Sequence, residues 1–235
     1  MDGTKPREID VNHPISIAAT IYLSVIGAAV FIVQPGFVQG LVTLLGFDEQ
    51  QAGYVASIEV WGIALTCVFL AMGGHRFGWK GILSFSIILF FVGNILSVLT
   101  SQITIFSLLR FIAGVGAGGL VGLTFTIIGL TRFADRNFGY LIMAVLTYGA
   151  LGLWAMPMLF DSIGLDGVLV LFALFGASGW WCLKWIPNSG QEQHQVEEDA
   201  VDLGGVSRIV AVAAMFTYFF AQGVIWAYLF LIGVD

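Results

Sequence analysis

Two charged side chains of opposite sign interrupt stretches of this sequence that are otherwise apolar. Arg110 lies in Leu109-Arg110-Phe111-Ile112-Ala113-Gly114-Val115-Gly116-Ala117-Gly118-Gly119-Leu120-Val121-Gly122 and is the only basic residue well inside a hydrophobic run, away from its ends; Glu59 lies in Ser57-Ile58-Glu59-Val60-Trp61. A guanidinium inside a bilayer costs a few kcal/mol even on lenient insertion scales, so it faces a partner or a watery cavity. If both runs are helices, Glu59 sits about 10 Å and Arg110 about 9 Å from the same face of the bilayer. The depths match, and the two side chains are expected to pair or to exchange partners. The chemistry stays open among a static ion pair or snorkelling to the interface, a Glu59 that couples proton movement to solute movement, and a direct contact between Arg110 and a solute.

Other polar residues extend this candidate pathway. Gln34, Pro35, Gly36 and Gln39 close the first apolar run. Such a segment is either a helix break lining a site, where freed carbonyls face water, or an ordinary helix end. Asn94 is either a packing hydrogen bond or a solute ligand. Gly114, Gly118 and Gly122 recur every four residues and strip one helix face, so that a neighbouring backbone can approach. Gly149 and Gly152 are read as packing positions in the same way.

The elements that must hold these residues are membrane helices. The chain is 58% hydrophobic and only 10% charged, with a mean hydropathy of +0.94; a soluble domain of this size needs more polar surface. Apolar runs near 15–38, 52–73, 81–99, 104–131, 138–160, 167–186 and 207–233 each approach the roughly 20 residues that cross a bilayer. They lack the alternation of barrel strands, and a lipid-exposed backbone must satisfy itself, so the expected fold is all-α and integral to the membrane, with seven transmembrane helices.

Lys5, Arg7, Arg76, Lys80, Arg132, Arg136, Lys184 and Arg208 all fall on one set of connections, whereas 39–51, 100–103 and 161–166 contain no Lys or Arg. That bias places the N-terminus in the cytoplasm and suits a multi-pass protein of a plasma or bacterial inner membrane. The chain divides into a leader (1–14), a six-span bundle (15–186), an acidic linker (187–206) and a seventh span (207–235). Asp48 and Gln51 have the spacing of a capping box at the start of the second span. Cys67 and Cys182 read as buried packing residues rather than a disulfide framework. His194, Glu197 and Glu198 in the linker lack a fourth ligand, and no metal or cofactor is expected. No phosphate loop or nucleophile elbow occurs, nothing points to nucleic acid, and an enzyme is not expected.

Six spans with an inner N-terminus, a linker and a seventh span resemble the first half of a major facilitator superfamily transporter. The loop Gly73-Gly74-His75-Arg76-Phe77-Gly78-Trp79-Lys80 resembles the family's Gly-x-x-x-Asp-Arg-x-Gly-Arg-Lys gating loop, with Arg76, Gly78 and Lys80 matching. His75 replaces the usual acid and Trp79 a usual base. Arg110-x-x-x-Gly114-x-Gly116 resembles the family's Arg-x-x-x-Gly-x-Gly segment, whose arginine is tied to proton coupling or substrate binding. In span five Pro157 matches the antiporter signature but Met156 and Phe160-Asp161 do not, so antiport is not supported. The resemblance implies alternating-access transport of a small organic solute, with the solute between two six-span bundles. The bilayer, the solute, protons and a missing or separate C-terminal half-bundle are the implied partners. The rival expectation is a non-transporting interaction or scaffold protein built on a half-transporter.

Overall fold

The computed structural model describes residues 9–73 and 78–187, together with Val210, Ala213, Ala214 and Thr217. All its described elements are helical: α1 (Pro14–Ile32), α2 (Gln34–Leu45), α3 (Glu49–Gly73), α4 (Trp79–Ser97), α5 (Ile103–Gly129), α6 (Ala134–Ser178) and a 3-10 helix, Gly179–Trp185. Residues 1–191 form one compact unit, and the description below concerns that unit. Among the described residues, five helices are long and apolar enough to cross a membrane: Pro14–Ile32, Glu49–Met72, Trp79–Ser97, Ile103–Gly129 and Ala134–Trp185. Of the seventh expected span only the four isolated residues above are described, each of them helical.

The longest of these helices is not straight. Gly164 has φ 68° and ψ −176°, a break inside α6. Tyr148 and Phe175 stack with their ring centroids 5.5 Å apart, although 27 residues of unbroken helix would separate them by about 40 Å. The chain therefore folds back at Gly164, and the limbs 134–163 and 165–178 run beside each other. They correspond to the fifth and sixth expected spans. The loop expected over 161–166 shrinks to one residue, because only glycine takes that backbone conformation without strain.

The first expected span also changes. Instead of ending at Val38, the helix breaks at Val33 (φ −101°, ψ 14°) and resumes as α2 to Leu45. Pro35 has no N–H to return to the preceding turn, which explains the break, while the Phe37 N–H still reaches the Val33 carbonyl at 3.1 Å. Gly46, at φ 71°, then ends α2. The turn into α3 carries the expected capping box. The Gln51 N–H donates to Asp48 Oδ1 at 2.7 Å, and the Asp48 N–H donates to Gln51 Oε1 at 3.1 Å.

α5 is the central helix, packed against α3, α4 and α1. Its glycines make that possible. A Cβ on Gly114 would collide with the Glu59 carbonyl, and one on Gly118 would stand 2.6 Å from the Ile63 carbonyl oxygen. On the opposite face Gly116 meets the backbone of α4 at Ser86 and Phe90. Gly122 is less tight, 3.2 Å from a Leu70 methyl. Gly149 and Gly152 pack on Ile32 and Val33, at the break between α1 and α2.

Candidate functional site

Arg110 is fully buried, at 0% exposure. It projects from α5 to α4, where its partners follow a helical repeat. Nη1 donates to Asn94 Oδ1 at 3.1 Å, Nη2 to the Gly93 carbonyl at 3.0 Å, and both Nε and Nη2 to Ser97 Oγ at 3.2 and 3.0 Å. Ser97 Oγ in turn donates to the Gly93 carbonyl at 2.6 Å, and Asn94 Nδ2 donates to the Phe90 carbonyl at 2.8 Å. The close approach of α4 and α5 brings these acceptors within reach, since a Cβ on Gly93 would lie 2.6 Å from the Ala113 nitrogen. The rings of Phe37 from α2 and Phe106 from α5 each lie 5.8 Å from the guanidinium carbon, a favourable position for a desolvated cation.

Glu59 is almost as buried, at 5% exposure, yet it makes no ion pair with Arg110 within 4.0 Å and no side-chain hydrogen bond among the described residues. The expected direct pair is thus absent, and neutral groups of α4 hold the guanidinium instead. α3 crosses α5 at Gly114, one turn beyond Arg110, so the Glu59 backbone rests on the glycine while Arg110 turns toward α4. The sequence reading named Asn94 but missed Ser97 and Gly93. Their signal was present: residues 90, 93, 94 and 97 share one helix face, and Asn94 and Ser97 are polar in an apolar run.

Gln34 is half-buried and Gln39 exposed; neither is among Arg110's partners. Gly78 caps α4 in an extended conformation, and Lys80 is half-buried on the first turn of that helix, beside the buried Trp79. Gly74, His75 and Arg76 lie outside the described residues. No cluster of His, Cys, Asp and Glu suited to a metal occurs among the described residues.

Alongside these charges, on the α3–α5 face, runs a groove of about 600 Å³ lined by Tyr54, Ile58, Trp61, Thr104, Ser107 and Phe111 among others. Ser107 Oγ is buried there without a hydrogen-bond partner. Most hydroxyls in these helices behave differently: Thr20, Thr66, Ser97 and Thr124 donate to the carbonyl four residues back. The groove itself is largely apolar, and Thr104 contributes an exposed residue with a hydroxyl to its lining.

A family model described as sugar (and other) transporter matches residues 16–129, from α1 to the end of α5. The matched stretch contains Glu59, Asn94, Ser97 and Arg110 with its glycine ladder. Over this stretch the chain is similar to that transporter family, which supports the resemblance to a major facilitator transporter. The match and the apolar helices together support a multi-pass membrane protein related to a family that transports sugars and other solutes. No curated relative matches this chain.

Proposed function

We propose that this chain moves a sugar or similar small polar solute by alternating access, together with a second bundle, and that Glu59 carries the coupled proton. The observation that supports this reading is an asymmetry. Arg110 has its donors occupied by α4, whereas Glu59 is equally deep and has no hydrogen-bond partner. A carboxyl group held in place only by packing is free to gain and lose a proton as its surroundings open to one side or the other. Arg110 then fixes the α4–α5 geometry and supplies the positive field that Glu59 feels. On this reading Gln34, Gln39 and Asn94 border the pathway, Gly74, His75, Arg76, Gly78 and Lys80 form the gating loop, and the N-terminus is cytoplasmic in a plasma or inner membrane.

Reconstitution into proteoliposomes tests the proposal, with a labelled hexose as the first probe. A gradient of one pH unit sustains about tenfold accumulation for each coupled proton. Glu59→Gln should abolish that accumulation while leaving exchange of labelled for unlabelled solute. Gradient-driven accumulation that is unchanged in Glu59→Gln would remove the proton role. A second reading, a non-transporting scaffold, draws on the complete burial of Arg110; wild-type uptake no faster than empty liposomes would favour it.

A further inference from the structure

At the basic-rich end of the bundle, the turn between α5 and α6 presents two arginines on one aromatic ring. The guanidinium carbons of Arg132 and Arg136 lie 5.4 and 4.7 Å from the centroid of Phe133. Those distances hold the two charges within about 10 Å of each other, close to one Debye length at physiological ionic strength. Neither arginine has an ion-pair partner within 4.0 Å among the described residues. Among the described residues Asp135 is exposed and makes no ion pair with them, and Asp10 Oδ1 accepts from the backbone and side-chain amides of Asn12.

The turn that carries the arginines is pinned from both sides. Asn12 Oδ1 accepts the Arg132 N–H at 2.7 Å, tying the leader to a residue 120 positions away. Asn137 Nδ2 donates to Thr131 Oγ1 at 2.8 Å, and Thr131 Oγ1 donates to the Ile128 carbonyl at 2.6 Å, both inside the protein. The two like charges are therefore carried on a backbone fixed by hydrogen bonds, and each guanidinium rests on the same ring, an arrangement that lowers the cost of ordering them about an anion.

The location identifies the anion. Phe133 is itself 53% exposed, and the outer face of the first limb of α6 continues with exposed Tyr140, Met143 and Leu146. An exposed apolar surface on a helix long enough to cross a membrane thus ends at an aromatic ring flanked by guanidinium groups, an arrangement typical of a membrane–water interface. We infer that Arg132, Phe133 and Arg136 form a binding site for the headgroup of an anionic phospholipid, with its acyl chains along α6. The guanidiniums donate to the phosphate oxygens, and the Phe133 ring holds both in position.

The test uses the full chain in nanodiscs containing equal amounts of phosphatidylglycerol and phosphatidylcholine, with bound lipid measured by native mass spectrometry after release into detergent. Each arginine near an anionic surface is worth about 1 kcal/mol, or about fivefold in affinity. The wild type should therefore retain phosphatidylglycerol over phosphatidylcholine, and Arg132→Gln/Arg136→Gln should lower that preference by roughly 25-fold. Arg132→Lys/Arg136→Lys, which keeps the charge, should retain most of it, and Lys184→Gln, a basic residue elsewhere on the chain, should change it little. The double glutamine variant must elute as the same monodisperse species as the wild type. Equal preference in wild type and that variant overturns the site, as does an equal loss in Lys184→Gln, which would reduce it to general surface charge. Soluble glycerol phosphate displacing the lipid as well as phosphatidylglycerol vesicles do would overturn the lipid assignment in favour of a free phosphate ester.

Discussion

Asn94 Oδ1 accepts a hydrogen bond from Arg110 Nη1 at 3.1 Å across the α4–α5 contact, while its own Nδ2 donates to the Phe90 carbonyl at 2.8 Å. The side chain is thus an adaptor that turns a helix backbone outward to receive a buried cation. Removing it leaves a guanidinium donor without an acceptor in a space from which water is excluded. Asn94→Leu should destabilise the bundle by about 2 kcal/mol, within the usual range for an orphaned buried donor. A lowered midpoint of thermal unfolding in detergent would show this, and Asn94→Asp should lose far less because an acceptor remains.

Arg110→Lys tests the same network from the other side. The planar guanidinium reaches Asn94, Gly93 and Ser97 at once, and a point-like ammonium on a flexible stem cannot occupy all three positions. The variant should therefore unfold at a lower temperature than the wild type despite its unchanged charge. Equal stability would mean that charge alone, through Glu59, holds Arg110 in place.

The glycine ladder of α5 gives a graded prediction. Ala at Gly114 or Gly118 would drive a methyl group into the α3 backbone at Glu59 or Ile63. Neither carbonyl is the movable end of a side chain, so the helices must separate and lose contacts along their length. A loss of several kcal/mol is expected, at the upper end of overpacking costs of about 1–3 kcal/mol. Gly139, which has open space at its Cβ position, should accept Ala with no loss or a gain of up to about 1 kcal/mol from helix propensity. Unfolding midpoints of the three variants under one detergent condition provide the comparison.

What could be read from the sequence follows how local the determinants are. The Asp48–Gln51 box was legible because three residues separate its partners. The apolar runs were legible because lipid imposes their length. The glycine spacing pointed to a close-packed face, but not to which of its glycines would meet α3 and which α4. Arg110 was assigned to the acid at its own depth, since opposite charges in lipid attract attention first. Its actual partners are neutral groups of α4, and Gly93 contributes only a backbone carbonyl, which no residue type advertises. The break at Val33 was one of two readings left open, because a Pro-Gly pair looks the same at a kink and at a helix end.

Gly164 is the sharpest case of a small residue with a large consequence. It passed as one position in a six-residue loop, yet with φ at 68° it carries the reversal between the two limbs of α6. Nothing lies within 4 Å of a Cβ built there, so space does not forbid a side chain; the backbone does. Gly164→Ala should cost about 1–3 kcal/mol, because φ 68° with ψ −176° lies in a region open essentially to glycine alone, and Gly164→Asn should gain no relief, since asparagine tolerates positive φ mainly in the αL region. Tyr148 and Phe175 report on the outcome because they stack only when the limbs fold back. Cysteines placed at these two positions in a background lacking Cys67 and Cys182 should cross-link efficiently with Gly164 present. They should do so less well with Ala. A cross-linking yield that does not depend on residue 164 would show that packing against α1 and α4, and not the glycine backbone, closes the hairpin.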